Sequence, residues 1–122
     1  MSLLGVIQRS GTQVTIKRAT KARSAGGATN QTWATVATAV PAFIDTPSAD
    51  IAERLFGREV RTEARLFVLE AVDIKPDDGL LVTAGPRNGE RYRVGPRAIM
   101  SDGRARSAHD ELALVSTTEA FS

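Results

Sequence analysis

Short runs of alternating apolar and polar residues, separated by turn-forming residues, constrain this chain more than any other feature. A period of two places successive side chains on opposite faces of an extended strand, so each run predicts a strand with one buried face. The alternating runs lie at residues 12–18, 32–44, 62–70, 91–94 and 112–114, and short apolar segments next to turn residues at 80–83 and 98–100 also predict strands. They predict a mainly β fold: a small antiparallel barrel or sandwich of about six or seven strands, with one short helix and a mobile loop.

Within these runs the apolar positions predict which side chains face the core. Leu66 lies between Ala64 and Val68 on one face of its run, and Tyr92 and Val94 lie opposite Arg91 and Arg93. In the long run, one face carries Ala34, Val36, Val40, Ala42 and Ile44, and the other carries Trp33, Ala37 and Phe43. Pro41 cannot donate to a ladder, so it predicts an edge or a bulge, as at a barrel corner.

Turn and capping residues mark the connections between these runs. Residues 19–31 are small and polar and include Gly26-Gly27, which predicts a mobile loop. Asp50 and Glu53 have the capping-box spacing, which predicts a helix over residues 51–56 with Asp50 as its N-cap and Gly57 as its C-cap. Asp78-Gly79 predicts a turn in which the glycine supplies the positive φ, and Asn88-Gly89 predicts a hairpin.

Length and composition predict one domain without an enzyme's chemistry. The 122 residues suit a single domain, 1–122, with an N-terminal segment at 1–10, the loop at 19–31 and a C-terminal tail at 117–122. The chain has no cysteine, which excludes thiolate metal sites and a cysteine nucleophile, and His109 is the only histidine. We therefore expect no catalytic residues, no metal and no cofactor. We also expect no membrane span and no signal peptide, since the apolar runs are only a few residues long.

Charge is distributed in blocks along the chain. Residues 1–35 carry five cations and no acid, residues 36–86 carry nine acids against five bases, and residues 87–106 carry six arginines against two acids. The candidate interface or DNA-channel residues from these basic blocks are Lys21, Arg23, Arg87, Arg91, Arg93, Arg97, Arg104 and Arg106. Such blocks suit a surface that meets a polyanion and other protein faces. An ordinary solvated surface, or salt bridges to the acidic 36–86 segment, is the alternative.

The order of these features resembles a family of phage proteins. The motifs that carry the resemblance are Val14-Thr15-Ile16-Lys17-Arg18, a Gly-rich polar loop leading to Trp33, Phe43-Ile44-Asp45, an Arg54/Gly57 segment, Thr62-Glu63-Ala64-Arg65-Leu66-Phe67-Val68, Ile74-Lys75-Pro76-Asp77-Asp78-Gly79, and Gly89-Glu90-Arg91-Tyr92-Arg93-Val94. The succession is similar to the head-closure, or head–tail joining, proteins of tailed bacteriophages (stopper or neck proteins). It runs over residues 11–115.

The resemblance implies a β-barrel with structural work to do in the virion. Such proteins form a ring between the portal or its adaptor and the tail, close the DNA-filled head and join the tail. The implied partners are portal or adaptor proteins, tail or tail-terminator proteins and the packaged double-stranded DNA, with no membrane. The implied assembly is a ring of identical copies, monomeric when isolated, built in the host cytoplasm. Two alternatives stay open: a related tail-terminator ring protein, and an OB-like barrel that binds single-stranded nucleic acid. Only 5% of the residues are aromatic, which disfavours the stacking surface of the second alternative.

Overall fold

Seven antiparallel strands form one sheet, and a helix packs on its outside. The structure is a computed structural model that describes residues 9, 11–23, 26–27, 29–57, 60–69, 71–98 and 109–121, with the backbone alone at 22, 23, 29, 30 and 109. In chain order its elements are β1 Gln13–Arg23, β2 Thr29–Pro41, β3 Phe43–Asp45, α1 Ala49–Phe56, β4 Ala64–Leu69, β5 Gly79–Ala84, β6 Arg91–Arg97 and β7 His109–Ser116. The predicted mainly β fold is confirmed.

The sheet curls until its two ends meet. Its strand order is β2-β1-β5-β6-β7-β4-β3, so β2 and β3 lie at opposite ends although only Ala42 separates them in the chain. The Ala42 amide donates to the Thr12 carbonyl over 3.1 Å, which holds this corner against the start of β1. Pro41 ends β2 at the corner, where a missing N–H donor costs no ladder bond. The result is a barrel-like sheet with one interior.

The interior is filled by apolar side chains from every strand. These are Val14, Ile16, Val40, Ala42, Ile44, Ala64, Leu66, Val68, Ile74, Leu80, Val82, Tyr92, Val94, Leu112 and Leu114. The predicted inward faces of β4 and β6 are therefore confirmed. On β2 the prediction is partly wrong: Ala34 is exposed, and Val36 and Ala37, assigned to opposite faces, both pack on the core. Two register shifts against β1 explain this, because each extra residue in β2 reverses the alternation.

Helix α1 covers the outer surface of β7. Leu55 and Phe56 pack against Ala113, and Gly57 ends the helix with φ 98°. The C-cap prediction is confirmed, but Asp50 is not the N-cap. Ser48 takes that position, and its hydroxyl accepts from the Ile51 amide over 3.3 Å. Asp50 lies instead in the first turn, where a negative charge also suits the helix dipole.

The predicted loop at residues 19–31 is wrong for most of its length. Strand β1 continues to Arg23 and β2 starts at Thr29, with Arg23 paired to Thr29 and Arg18 to Ala34. We call residues 18–34 the arm, because β1 pairs with β5 only as far as Lys17. The arm is therefore a two-stranded ribbon that extends past the barrel. Of the strand predicted at 98–100, only Ala98 is among the described residues, and it follows the end of β6 at Arg97.

Candidate interaction surface

Arg87, in the hairpin between β5 and β6, belongs to a hydrogen-bond network that includes Tyr92, Thr46 and Glu90. Arg87 donates from Nη1 to the Tyr92 hydroxyl over 2.9 Å and from Nη2 to Thr46 Oγ1 over 3.1 Å. The Tyr92 hydroxyl in turn donates to the Glu90 carboxylate. Burial of Tyr92 and its bond to Glu90 raise the pKa of the phenol. Arg87 thus ties the hairpin to the barrel and is only partly exposed.

Arg93 binds the chain's own C-terminal segment. Its Nη1 donates to both carboxylate oxygens of Glu119, at 2.8 and 3.1 Å, and its guanidinium lies 5.2 Å from the centre of the Trp33 ring. The Phe121 ring meets Trp33 edge-on with 4.8 Å between centroids. Phe121 is 3% exposed, so the predicted tail is fixed to the barrel at this point.

Arg91 and Arg97 differ in how far their charges are satisfied. Arg97 donates to the Ile74 carbonyl over 2.8 Å and lies 3.4 Å from Asp110. Arg91 is exposed, and within the described residues its side chain has no ion pair. Arg104 and Arg106 lie outside the described residues. Among the described residues, the acids that Arg87, Arg93 and Arg97 meet are Glu90, Glu119 and Asp110.

The arm carries the other predicted cations. Lys21 is exposed near the end of β1, and Arg23 is the last residue of that strand. The sequence has no aspartate or glutamate before Asp45, so the arm has no acid of its own. At its base, Arg18, Lys21, Lys75 and Arg93 line a cleft of about 480 Å³ together with Gln31, Asp77 and Asp78. The arm and this cleft therefore bring Lys21 near Lys75, beside two arginines that are paired with Asp78 and Glu119.

An ion-pair group at the end of the barrel was missed by sequence reasoning. Arg18 donates from Nε and Nη2 to the two carboxylate oxygens of Asp78, at 2.9 and 2.8 Å, and more weakly to Asp73. The Asp78 side chain is 3% exposed and also accepts from the Lys75 amide over 2.8 Å. These bonds raise the pKa of Arg18, and its guanidinium lowers the pKa of Asp73. Arg18 is therefore a structural residue, unlike Lys21.

Arg65 forms a second such group on the outside of β4. It donates to both oxygens of Asp45, at 3.0 and 2.7 Å, reaches Glu111 at 3.4 Å and lies 4.6 Å from the centre of the Phe67 ring. The bonds to Asp45 raise the pKa of Arg65. No motif predicts this group, because its members lie on three strands that only the sheet order brings together.

The turn before β5 also differs from its prediction. Asp77, with φ 73°, provides the left-handed residue, and Gly79 does not. A Cβ built on Gly79 would lie 2.6 Å from the Phe121 ring, so the glycine is required by close approach. The Asp78-Gly79 step therefore predicted the position of the turn correctly, but the glycine is required by packing and does not supply the positive φ.

The described residues contain no group of three or more His, Cys, Asp or Glu placed to hold a metal ion. In that same part of the chain, no helix is long and apolar enough to cross a membrane.

Comparison with known proteins supports the fold. No protein-family model matches the sequence, and no curated protein matches it. The structure is similar to the solution structure of protein SF1141 from Shigella flexneri 2a, with a TM-score of 0.65 and 21% identity, covering 89% of this chain and 93% of that one. At that identity, the likeness shows a shared barrel-like fold and nothing about function.

Proposed function

We propose that this chain is a structural component of a tailed-bacteriophage neck. Identical copies form a ring between the portal or adaptor and the tail, where they close the DNA-filled head and join the tail to it. The role needs no catalysis and no cofactor. Its location is the virion, after assembly in the host cytoplasm.

The observation that carries the proposal is the cationic arm. It extends past the last residue that β5 pairs with, Lys17, and it exposes Lys21 without a neighbouring acid in its own sequence. A projecting ribbon of one sign, attached to a compact barrel, suits a protein that lies beside a polyanion. In a ring with inward arms, duplex DNA in the channel would face these cations.

The order of sequence motifs adds independent support. The Lys75-Pro76-Asp77-Asp78-Gly79 turn and the following Gly89-x-x-Tyr92-x-Val94 strand carry the likeness to head-closure proteins. In the structure they form the β5–β6 hairpin, with Tyr92 and Val94 in the core. A tail-terminator ring protein fits the same observations. Labelling the protein in particles would distinguish the two, because the terminator lies on the tail side of the neck.

Single-strand binding is a weaker candidate. A stacking platform needs aromatic faces open to bases. Tyr92 is 4% exposed, and Trp33 already contacts Arg93 and Phe121. Weak, salt-sensitive binding to duplex DNA is expected instead, with a slope of roughly −0.9 in log affinity against log salt for each phosphate contact.

Deleting the gene from the phage or prophage that encodes the protein tests the proposal. We expect DNA-filled heads and free tails that do not join, counted by negative-stain electron microscopy, and rescue by the gene supplied on a plasmid. Intact tailed particles without the gene would refute a neck function.

Charge-reversal variants then separate the surfaces in the same complementation assay. Arg91→Glu tests the β6 surface, and Lys21→Glu tests the arm. Arg54→Glu makes the same charge change on the exposed face of α1 and is the matched control. We expect lower particle yield from the arm variant than from the control. Arg93→Glu is less informative, because Arg93 also holds Glu119.

A further inference from the structure

The outer edge of β2 is an unusual strand edge. β2 is 13 residues long, lies at one end of the strand order and contains no charged side chain. Exposed edge strands of natural proteins usually carry charges, prolines or bulges that prevent further strands from adding. Here the bulges and Pro41 all lie near the corner, and the part of β2 within the arm has none of these protections.

The arm has a second open edge on its other side. Residues 18–23 of β1 pair with β2, and in the described part of the chain no other strand pairs with them, since β5 stops at Lys17. As far as the structure describes the chain, the arm therefore presents one open edge from each of its two strands. A two-stranded ribbon is marginally stable in water, so further strands would stabilise it.

We propose that arms of neighbouring copies pair edge to edge, with β2 of one copy against residues 18–23 of the next. When arms point the same way around a ring, β2 of one copy runs antiparallel to β1 of its neighbour. This continues the antiparallel pattern within each arm. Two different edges that meet head to tail generate a closed ring or a filament, whereas a two-fold contact stops at a dimer. The proposal rests on the ring assembly proposed above and names the contact that builds it.

Charge selects this pairing among the possible ones. Residues 18–23 include Lys21 and Arg23 besides Arg18, whose charge is paired with Asp78, so two β1 edges would bring the like charges of Lys21 and Arg23 together. Pairing with β2 places these cations opposite uncharged residues instead. A β2–β2 contact also avoids repulsion, but it leaves both β1 edges open and gives a two-fold dimer.

The absence of cysteine makes cross-linking a clean test. Thr20 and Ala34 are exposed and lie on the same face of the arm, because Thr20 pairs with Thr32, two residues before Ala34. A Thr20→Cys protein is mixed with an Ala34→Cys protein, or with a Thr32→Cys protein to cover a shifted register, and oxidised at high concentration. Each molecule has one thiol, so no intramolecular disulfide can form. Thr118→Cys, exposed on the segment after β7, is the control for random collision.

We expect a cross-linked species in a mixture and none from either variant alone. Cross-linking of Ala34→Cys or Thr32→Cys by itself would mean a two-fold β2 dimer and would overturn the proposal. No cross-link above the Thr118→Cys level would overturn it too, whether or not the protein oligomerises. The neck function would survive that result if deletion of the gene still left heads and tails unjoined.

Two charge variants at one position give a second readout that does not depend on thiols. Gln31→Lys adds a cation on the face of the arm that carries the neighbour's Lys21 and Arg23, and Gln31→Glu adds an anion at the same place. We expect sedimentation to show weaker association for the lysine variant only. Equal loss in both variants, or in neither, would contradict edge pairing.

Discussion

Two residues at the end of the barrel have structural roles that their residue types do not predict. Gly79 has the sequence context of a turn glycine, but it lies against the Phe121 ring, where a Cβ would not fit. Asp77 adopts the left-handed conformation instead. Asp78 looks like part of a solvated acidic turn, yet it is buried and accepts from Arg18 and the Lys75 amide. In both cases a partner remote in sequence sets the role.

Gly79→Ala should detach the segment that ends in Phe121. The new Cβ would overlap ring atoms at 2.6 Å, and the ring must move because Gly79 lies in a paired strand. Trp33, the only tryptophan, touches Phe121 and therefore reports the change as a shift in fluorescence emission. Phe121→Ala should give the same shift. Gly26→Ala, where a Cβ meets nothing within 4 Å, should leave the emission unchanged. Unaltered emission in Gly79→Ala would contradict the packing.

Arg18→Met should destabilise the barrel by about 3–5 kcal/mol, since it leaves the buried Asp78 carboxylate without its counter-charge. Urea unfolding measures this loss. Asp73→Asn is the control: the Asp73 side chain is 61% exposed, so its loss should cost less than about 1 kcal/mol. Adding Asp78→Asn to Arg18→Met should recover part of the stability, because no buried charge then remains. Equal effects of Arg18→Met and Asp73→Asn would show that burial of Asp78 is unimportant.

Glu63 should make stability depend on pH through Ser116. The Ser116 hydroxyl and amide donate to Glu63 Oε2 at 2.5 and 2.7 Å, which lowers the pKa of Glu63 from its ordinary 4.5. A lowered pKa in the folded state gives stability that is present above 4.5 and lost as pH falls through the folded value. Ser116→Ala should therefore melt below the native protein at neutral pH, and the gap should narrow in acid. A gap that stays constant with pH would assign the effect to something other than the ionised Glu63.

Among the secondary-structure elements, the sequence predicted the strands that bury one face in the core. β4 and the β5–β6 hairpin show it: Leu66 shares its predicted inward face with Ala64 and Val68, Tyr92 and Val94 flank Arg93, and Leu66, Tyr92 and Val94 are all in the core. The arm shows the opposite case. Thr20, Gln31 and Thr32 are exposed, so the ladder there is held by backbone bonds and leaves no apolar period in the sequence.

The candidate interaction surface was predictable only as a set of charges. Composition located the arginines of residues 87–106, but it could not tell Arg91, which is exposed, from Arg93 and Arg97, which bind other parts of the chain. Their partners Glu119 and Ile74 are brought near by sheet order and by the docking of Phe121. Ion pairs between segments that are distant in sequence depend on the order of strands in the sheet. An alternating pattern does not specify that order.

For the whole molecule, the division into barrel and arm implies two levels of local stability. Strand β1 passes through both: residues 14–17 lie between β2 and β5, and among the strands that the structure describes residues 19–23 pair with β2 alone. Opening the barrel exposes core side chains such as Val14 and Ile16, whereas opening the arm exposes mainly Trp33 and the Phe121 ring that packs on it. One strand thus contains both the test segment and its control.

Hydrogen exchange should resolve this division within β1. Amides of residues 19–23 and 29–33 should exchange faster in the monomer than those of 14–17 and of β4, because a two-stranded ribbon opens at little cost. Association should slow amide exchange in the arm and leave exchange in the barrel unchanged, since strand pairing between copies adds hydrogen bonds only to the arm. If residues 19–23 exchange as slowly as β4 in the monomer, the arm is stable by itself and gains nothing from a neighbour. If these amides still exchange fast after association, copies meet through another surface. The exposed Arg91 on β6 marks the next candidate contact.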